Sequence, residues 1–157
     1  MESSGSRLII ICGLPGSGKT TLARKLEGER GAVRLSADDW MEALQLDVWD
    51  EASRSRIEAL QWKLGRRLLS CGLTVIIEWG TWARSEREAL RRQARALGAA
   101  VELHYLAGET DELFARIQRR GMENPPITRD AMLRWAQIFE APAAEEMKLF
   151  DRPPNKP

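Results

Sequence analysis

A glycine-rich segment near the start of the chain, GLPGSGKTT (13–21), carries side chains suited to holding phosphate. Its glycines can adopt positive φ and leave room for phosphate oxygens, so that successive backbone N–H groups point inward. Lys19 would neutralise the β- and γ-phosphates of a nucleotide, and the hydroxyl of Thr20 would bind Mg²⁺. The spacing therefore predicts a nucleotide-binding loop made by one continuous run: Gly13, Leu14, Pro15, Gly16, Ser17, Gly18, Lys19, Thr20 and Thr21.

Two adjacent carboxylates follow in LSADDW (35–40), directly after a strand-like run. The carboxyl ends of parallel strands share one edge of a sheet, so Asp38 and Asp39 are expected beside the phosphate loop. A carboxylate there can accept a proton from an attacking hydroxyl or hold a water bound to Mg²⁺. Asp is also a good helix N-cap. Both roles fit the pair, with Asp38 catalytic and Asp39 capping a helix that begins near Trp40.

Short apolar runs that alternate with longer periodic segments would position these groups. Such alternation is typical of an α/β fold with a parallel sheet. Four runs are predicted as strands: 8–12, 32–36, 73–78 and 100–107. Helices are predicted at 19–29, 51–70, 85–97, after Thr110 as far as Gly121, 129–139 and 143–150.

Finer features of these helices also follow from the pattern. Helical spacing predicts that the buried stripe of the helix 51–70 is formed by Ile57, Leu60, Leu64 and Leu68. Ser85 and Glu88 predict a capping box, and Thr110 an N-cap. The segment RSEREALRRQARALG (84–98) holds five arginines against two glutamates, which is typical of a solvated outer face.

The composition indicates one domain, residues 1–157, with no bulk electrostatic partner: 24 Lys and Arg oppose 23 Asp and Glu. A nucleic-acid coat or membrane-surface protein would be more basic. No apolar run approaches the ~20 residues that span a bilayer. Cys12 and Cys71 are too few for a disulfide framework. We therefore expect a cytoplasmic protein with reduced thiols and no membrane association.

The loop and the ADD sequence (37–39) together resemble the small P-loop kinases, a family with an AAA-type ATP-binding domain that includes phage polynucleotide kinase, chloramphenicol phosphotransferase, zeta toxins and gluconate kinases. The resemblance covers nearly the whole chain. It implies a P-loop NTPase three-layer sandwich with a parallel sheet of about four to five strands and a short lid, and ATP and Mg²⁺ as cofactors. ATP is also favoured because the chain has no N-K-x-D signature for guanine.

The same resemblance assigns roles around the aspartates. In phage polynucleotide kinase a GxPGSGKS/T loop is followed by RDD, whose first aspartate is the general base, which implies that role for Asp38. Met41 stands where that kinase has an arginine that binds the phosphate of the acceptor. A thioether cannot pair with a phosphate dianion, so this departure weighs against a nucleic-acid acceptor. Chloramphenicol phosphotransferase, which acts on an uncharged small molecule, is an equally good guide.

A second arginine pattern, RIQRR (116–120), matches the R-x-x-x-R of small kinases such as adenylate kinase. The resemblance implies that Arg116 stacks on the adenine and that Arg120 reaches the phosphates from the lid. The segment GMENPPITR (121–129) would then be the lid loop, from which Arg129 could close over the phosphates. Positive charge delivered on closure would stabilise the transferring phosphoryl group and exclude water.

The third predicted strand ends in VIIEWGTW (75–82), where small kinases often carry an aspartate that serves Mg²⁺. Glu78 stands there instead, so the candidate metal ligands are Thr20, Asp38 and Glu78. Trp79 and Trp82 flank this edge and Trp40 flanks it from the other loop. Aromatic faces suit a ring-containing acceptor, although ordinary packing explains each tryptophan singly. The predicted acceptor pocket is therefore lined by five residues: Asp39, Trp40, Trp79, Trp82 and Arg129.

The carboxyl-terminal stretch offers no obvious fifth strand, since KLFDRPPNKP (148–157) has few residues before its prolines. We expect its last part, 151–157, to be frayed.

Three functions remain compatible with these residues. The first is transfer of the γ-phosphate of ATP to a hydroxyl of a small molecule, with Asp38 as base. The second is a polynucleotide or nucleoside kinase, for which the near-neutral charge and Met41 are unfavourable. The third is an ATP-dependent switch or adaptor with slow hydrolysis. Neither the acceptor nor the oligomeric state is determined by the sequence.

Overall fold

Seven helices and four strands form in the part of the chain that the computed structural model describes, residues 5–123 and 126–155. In chain order they are β1 (Arg7–Cys12), α1 (Lys19–Arg30), β2 (Val33–Leu35), α2 (Ala37–Ala43), α3 (Glu51–Ser70), β3 (Thr74–Gly80), α4 (Arg84–Ala96), β4 (Ala100–Tyr105), α5 (Thr110–Arg120), α6 (Arg129–Ile138) and α7 (Ala144–Met147). Asn124 and Pro125 of the predicted lid, and Lys156 and Pro157 of the predicted tail, lie outside the described residues.

The strands form one parallel sheet in the order β2-β3-β1-β4. Every residue from Leu8 to Cys12 of β1 has no exposed surface, because β1 is central and both of its faces are covered. Leu8, Ile10 and Cys12 pack on one face with residues of α3 and α4. Ile9 and Ile11 pack on the other face with residues of α1. This arrangement is the predicted three-layer α/β fold, and its sheet puts the ends of β1, β2 and β3 along one edge.

The buried stripe of α3 is not the predicted one. Leu60 is 57% exposed and Leu64 38% exposed, whereas the buried positions are Ile57, Gln61, Gly65 and Leu69. The helix turns this side inward because Gln61 hydrogen-bonds to neighbouring elements and Gly65 lets Leu35 approach closely. Ile57 is buried as predicted, but the other three buried positions lie one residue after the predicted leucines, since apolar spacing has no information about polar partners in the core.

Three predicted helix caps also differ. The N-cap of α4 is Ala83, so Ser85 and Glu88 do not form the capping box. The N-cap of α5 is Glu109 rather than Thr110. For α2 the cap is Ser36, whose Oγ accepts from the N–H of Asp39 at 3.2 Å. Asp39 therefore does not cap α2, and its carboxylate is free to bind elsewhere.

Arg87 contradicts the prediction that the arginines of this segment lie on a solvated outer face. It has no exposed surface, and its Nε donates to Glu146 Oε1 at 2.7 Å. It also donates to the carbonyl oxygens of Thr81 and Glu140, each at 2.7 Å. A buried guanidinium needs several acceptors, and here they come from the β3–α4 loop and from the segment that leads into α7. Arg87 thus joins α4 to the end of the chain.

The carboxyl-terminal segment runs beside β4, where a fifth strand would pair. The N–H of Asp151 donates to Val101 O at 2.7 Å, and its carboxylate accepts from the N–H of Val101 at 2.7 Å. No fifth strand forms in the described ranges. The stretch expected to fray is therefore attached at its first residue.

Among the described residues, no helix combines the length and the apolar character that crossing a membrane requires.

Candidate active site

The predicted phosphate loop lies between the end of β1 and the start of α1. Gly16 and Gly18 have φ values of 81° and 93°, which residues other than glycine rarely adopt. A Cβ on Gly13 would come within 2.6 Å of Ser17 Oγ, and a Cβ on Gly16 within 2.7 Å of Leu113 O in α5. The loop is therefore held between the sheet and α5, and only glycine fits at these positions.

Lys19 is the first residue of α1 and its side chain folds back over the loop. Its Nζ donates to Leu14 O at 3.0 Å. Burial lowers the pKa of Lys19 to about 8, although the carboxylates of Asp38 and Glu78 act in the opposite direction. The N-cap of α1, Gly18, provides no side-chain hydrogen bond, so the first N–H groups of the helix remain available to an anion. The loop therefore combines free backbone donors, a helix N-terminus and an ammonium group, which suits a phosphate chain.

Asp38 projects from the first turn of α2 on the same edge of the sheet. Ala37 and Met41 of this helix are buried, whereas the side chain of Asp38 is 68% exposed. Its Oδ1 accepts from Arg54 Nη1 of α3 at 2.5 Å. The other oxygen has no hydrogen-bond partner in the described part of the chain. An exposed carboxylate with one oxygen held and one oxygen free can accept a proton from a neighbouring hydroxyl.

Asp39 belongs to a different network, centred on Arg34 of β2. Arg34 donates to Asp39 Oδ2 and to Glu78 Oε1, both at 2.6 Å. Its Nε lies 3.5 Å from Glu27 Oε2 of α1. Arg34 therefore connects the start of α2 to the end of β3, and the two adjacent aspartates have separate partners.

Glu78 lies at the end of β3 with a side chain that is 3% exposed. Burial raises the pKa of its carboxyl, while Arg34 lowers it. Its second oxygen, Oε2, is buried and has no hydrogen-bond partner among the described residues. Those residues contain no group of three or more His, Cys, Asp or Glu that could hold a metal by itself. Mg²⁺ generally takes only one or two protein carboxylates together with phosphate oxygens and water, so the free oxygen of Glu78 and the hydroxyl of Thr20 fit an ion completed by nucleotide.

The three tryptophans predicted to line one wall are not brought together. Trp40 and Trp79 pack against the small cluster formed by Ala37, Met41 and Ile57. Trp82, from the β3–α4 loop, instead lies beside Trp135 of α6, with ring centroids 6.0 Å apart. Trp135 in turn stacks on Trp49, which precedes α3, at 5.9 Å and an interplanar angle of 17°.

Trp49, Trp82 and Trp135, the tryptophan stack, come from three separate elements. Trp49 is 40% exposed. Nothing local in the sequence marks Trp49 or Trp135 as partners of Trp82, because their contact depends on how α6 packs. Trp82 therefore forms an aromatic surface with Trp135 and Trp49, and not with Trp40 and Trp79.

The predicted lid arginines lie on and after α5. Arg116 pairs with Glu112 at 2.7 Å, Arg120 pairs with Glu123, and Arg129 Nη2 lies 2.9 Å from Asp111 Oδ1. The backbone of α5 touches the phosphate loop at Gly16, and α6 packs on α5 through an apolar cluster. Arg116 and Arg120 thus lie on the helix that contacts the phosphate loop, and Arg129 lies on the helix packed against it. Each of the three arginines is paired with a carboxylate of α5 or of the segment that follows it.

Gln61 is a residue of this edge that the sequence analysis missed. It has no exposed surface, its Nε2 donates to Ser36 O at 2.9 Å, and its Oε1 accepts from Trp79 Nε1 at 2.7 Å. It therefore connects α3 to the start of α2 and to the end of β3. The only available signal was its place in register with Ile57 and Leu69. Arg34 and Arg54 were missed as well, because their partners lie on other elements.

Comparisons with known proteins agree with this geometry. The sequence profile of the AAA domain family matches residues 8–142, while no curated protein matches the chain. A structure of the Pnkp1/Rnl/Hen1 RNA repair complex superposes with a TM-score of 0.75 at 21% identity, covering 94% of this chain and 47% of that chain. The chain therefore spans about half the length of that neighbour.

Two further neighbours are covered over most of their length. A gluconokinase from Sinorhizobium meliloti 1021 gives a TM-score of 0.61 at 19% identity, over 92% of this chain and 80% of that chain. Kti12 from Chaetomium thermophilum, in complex with ADP-AlF3, gives 0.66 at 20% identity, over 88% and 82%. At these identities the likeness establishes the fold. Because the family profile covers residues 8–142, most of the chain, the protein belongs to the AAA domain family.

Proposed function

We propose that the protein transfers the γ-phosphate of ATP to a hydroxyl group of a small molecule, with Asp38 as general base. The observation that carries the proposal is the position of Asp38: it is exposed at the same sheet edge as the phosphate loop, and Arg54 holds one of its oxygens. The free oxygen would accept the proton of the acceptor hydroxyl. The acceptor oxygen would bond to the γ-phosphorus as the bond from that phosphorus to ADP breaks.

The nucleotide would be held by the loop residues 13–21, with Lys19 on the β- and γ-phosphates. Mg²⁺ would be held by Thr20 and Glu78, with Asp38 reaching it through water, and would neutralise charge on the phosphates. In this proposal Arg116 faces the adenine and Arg120 approaches the transferred phosphoryl group. To reach it, Arg120 would release Glu123 and pair with the phosphate, and this closure of the lid would exclude water.

The acceptor would sit between Asp38 and the tryptophan stack, with Arg129 at the lid side. The side of this pocket nearer the core would be formed by Trp40 and Trp79, which pack on the Ala37 cluster. Asp39, which is held by Arg34, would lie on the same side. The likeness to a gluconokinase supports a hydroxyl-bearing small molecule as the acceptor.

A polynucleotide kinase is the second candidate, and the likeness to the Pnkp1 complex favours it. Met41 speaks against it, because this side chain is fully buried in the cluster with Ala37 and Ile57. Position 41 therefore offers nothing to an acceptor phosphate.

The test is transfer from γ-labelled ATP with Mg²⁺ to a panel of metabolites, antibiotics and 5′-hydroxyl oligonucleotides. We expect label in a small molecule, and a fall in kcat of about 10²–10⁴ for Asp38→Asn, the usual value of a general base. The affinity for ATP should stay within about twofold, because the phosphate loop is untouched. Glu42→Gln is the matched control, since Glu42 is an exposed carboxylate of the same helix.

The other outcomes separate the alternatives. Label at oligonucleotide ends would establish the polynucleotide kinase instead. Release of free phosphate alone, at equal rates in the wild type and Asp38→Asn, would remove Asp38 as base and favour the ATP-dependent switch.

A further inference from the structure

Arg54 is the guanidinium that lies against the proposed base, and two carboxylates share its charge. Its Nη1 lies 2.5 Å from Asp38 Oδ1, and its Nε lies 3.2 Å from Glu58 Oε1 one turn further along α3. The Arg54 side chain is 29% exposed. An anionic acceptor could therefore bind Arg54 only by displacing the carboxylate of Asp38 or Glu58.

A third carboxylate, Glu86 of α4, faces the same group. Burial raises the pKa of Glu58 to about 7, with Arg54 acting in the opposite direction and the charges of Glu86 and Asp38 adding to the rise. Burial likewise raises the pKa of Glu86, which is lowered in turn by the N–H of Ala83 and by Arg87 and Arg54. Glu86 makes no ion pair with any described residue. Asp38 and Glu58 thus hold the Arg54 guanidinium between them, and the charge of Glu86 adds to theirs.

Three further cations near this edge are engaged. Arg34 holds Asp39 and Glu78. Arg87 is buried on Glu146, and Lys19 lies over the phosphate loop. Like Arg54, these three cations are therefore already held by other groups of the protein.

An aromatic surface begins just before Arg54 in the chain. Trp49 lies five positions before Arg54, and it stacks on Trp135, which contacts Trp82. Flat aromatic faces bind the apolar faces of rings and favour nearby cations over anions, because the ring face is negative. The tryptophan stack and the carboxylates therefore favour the same kind of acceptor charge.

We infer that Arg54, Glu58, Glu86 and the tryptophan stack select a ring-shaped hydroxyl compound that carries no negative charge, and prefer one that bears an amine. This inference rests on the proposed function, since it places the acceptor hydroxyl at Asp38. A phosphate on the acceptor would meet like charges, which oppose binding when they are juxtaposed at an interface. An ammonium group would instead pair with Glu58 or Glu86.

The experiment compares matched acceptors that differ only in charge: glucosamine, glucose and glucose 6-phosphate, and an aminocyclitol, inositol and inositol phosphate. The expected order of kcat/KM within each set is amine, then neutral, then phosphate, with about tenfold or more between the first and the last. Glu58→Gln and Glu86→Gln should reduce this ratio several-fold. Glu51→Gln is the control, because Glu51 is an exposed carboxylate at the start of the same helix.

Binding provides a readout that does not need transfer. With ADP and Mg²⁺ present to occupy the phosphate loop, tryptophan fluorescence should report tighter binding of glucosamine than of glucose 6-phosphate. The difference should shrink in Glu58→Gln. Equal or reversed order in transfer or in binding would overturn the inference, and preferred phosphate-bearing acceptors would show that Arg54 leaves its carboxylates. If the binding order holds while Asp38→Asn transfers normally, the proposed function fails and the charge preference stands.

Discussion

Lys19 is a residue whose placement serves a ligand at the expense of the fold. Its ammonium group is half-buried, and burial lowers its pKa to about 8. Because the pKa is lower in the folded chain than in the unfolded one, the charged form weakens stability at neutral pH. The free energy of unfolding should therefore rise as pH increases from about 8 towards the unfolded value of ~10.4.

We expect Lys19→Met to leave the melting temperature unchanged or raise it, because the variant removes a buried charge and keeps the apolar stem. ATP and Mg²⁺ should raise the melting temperature of the wild type, and the same variant should lose that rise. Thermal unfolding with and without nucleotide measures both effects. Lys25→Met, an exposed change in the same helix, should keep the nucleotide effect. A clear loss of stability without nucleotide would contradict this account of Lys19.

Gln61 acts through its two hydrogen bonds at the start of α2 and the end of β3. Gln61→Leu would leave the half-buried Trp79 Nε1 without its partner and remove one of the two donors to Ser36 O, which also accepts from the N–H of Trp40. We expect this to cost about 1–3 kcal/mol of unfolding free energy. Gln93→Leu is the matched control, because Gln93 accepts from Trp62 Nε1 at 2.6 Å on the exposed surface. Urea unfolding measures the free energy of unfolding of both variants, and we expect the larger loss in Gln61→Leu. Equal losses would mean that burial of Gln61 has no energetic consequence.

At the scale of elements, β4 depends on one buried carboxylate. Glu102 has a side chain 1% exposed, and it binds Arg7 and Arg30 at 3.0 and 3.1 Å. Burial by itself would raise the pKa of Glu102, but the hydrogen bonds from His104 and Arg30 and the charges of both arginines lower it to about 2. This carboxylate therefore joins α1 and the amino-terminal end of β1 to β4.

The lowered pKa of Glu102 means that its ionised form stabilises the folded chain. The contribution of Glu102 is present above the unfolded value, near ~4.3, and is lost as pH falls from there towards 2. Glu102→Gln should reduce the unfolding free energy by about 3 kcal/mol at pH 7 and by much less near pH 2. Glu29→Gln, an exposed change in α1, should do neither. Urea titrations at a series of pH values measure the difference, and a pH-independent loss would refute the ion-pair explanation.

At the scale of the whole molecule, the carboxyl-terminal segment replaces a fifth strand. Two interactions hold it in place: the ion pair of Arg87 with Glu146, whose side chains are 0% and 4% exposed, and the hydrogen bond from the N–H of Val101 to the carboxylate of Asp151. Since Arg87 also binds Thr81 O in the β3–α4 loop, the same guanidinium ties the end of the chain to the loop that presents Trp82. The carboxyl-terminal segment therefore helps to position the β3–α4 loop.

Arg87→Met should destabilise the protein by about 3–5 kcal/mol, because the Glu146 carboxylate would stay buried without its partner. The double variant Arg87→Met with Glu146→Leu should lose less than the sum of the single variants, since it removes that unpaired charge. Arg92→Met, an exposed change in α4, is the control. Strict additivity in urea unfolding would show that the two side chains do not act as a pair.

The local sequence determined the order of the elements and the position of the phosphate loop. All four strands and the long helix 51–70 lie where predicted, because apolar periodicity and glycine spacing are properties of neighbouring residues. The placement of Asp38 and Glu78 on one edge of the sheet also followed, since parallel strands present their carboxyl ends together. Phosphate transfer and the roles of these side chains stay predictions.

Only the tertiary structure decided which polar groups are buried and with what they pair. Asp38 meets Arg54 across 16 positions of the chain, Arg34 meets Glu78 across 44, and Arg87 meets Glu146 across 59. The tryptophan stack likewise joins three separate elements. A residue's neighbours in the chain contain no record of such partners, because burial of a charge depends on elements that meet it only when the whole sheet and its helices have packed.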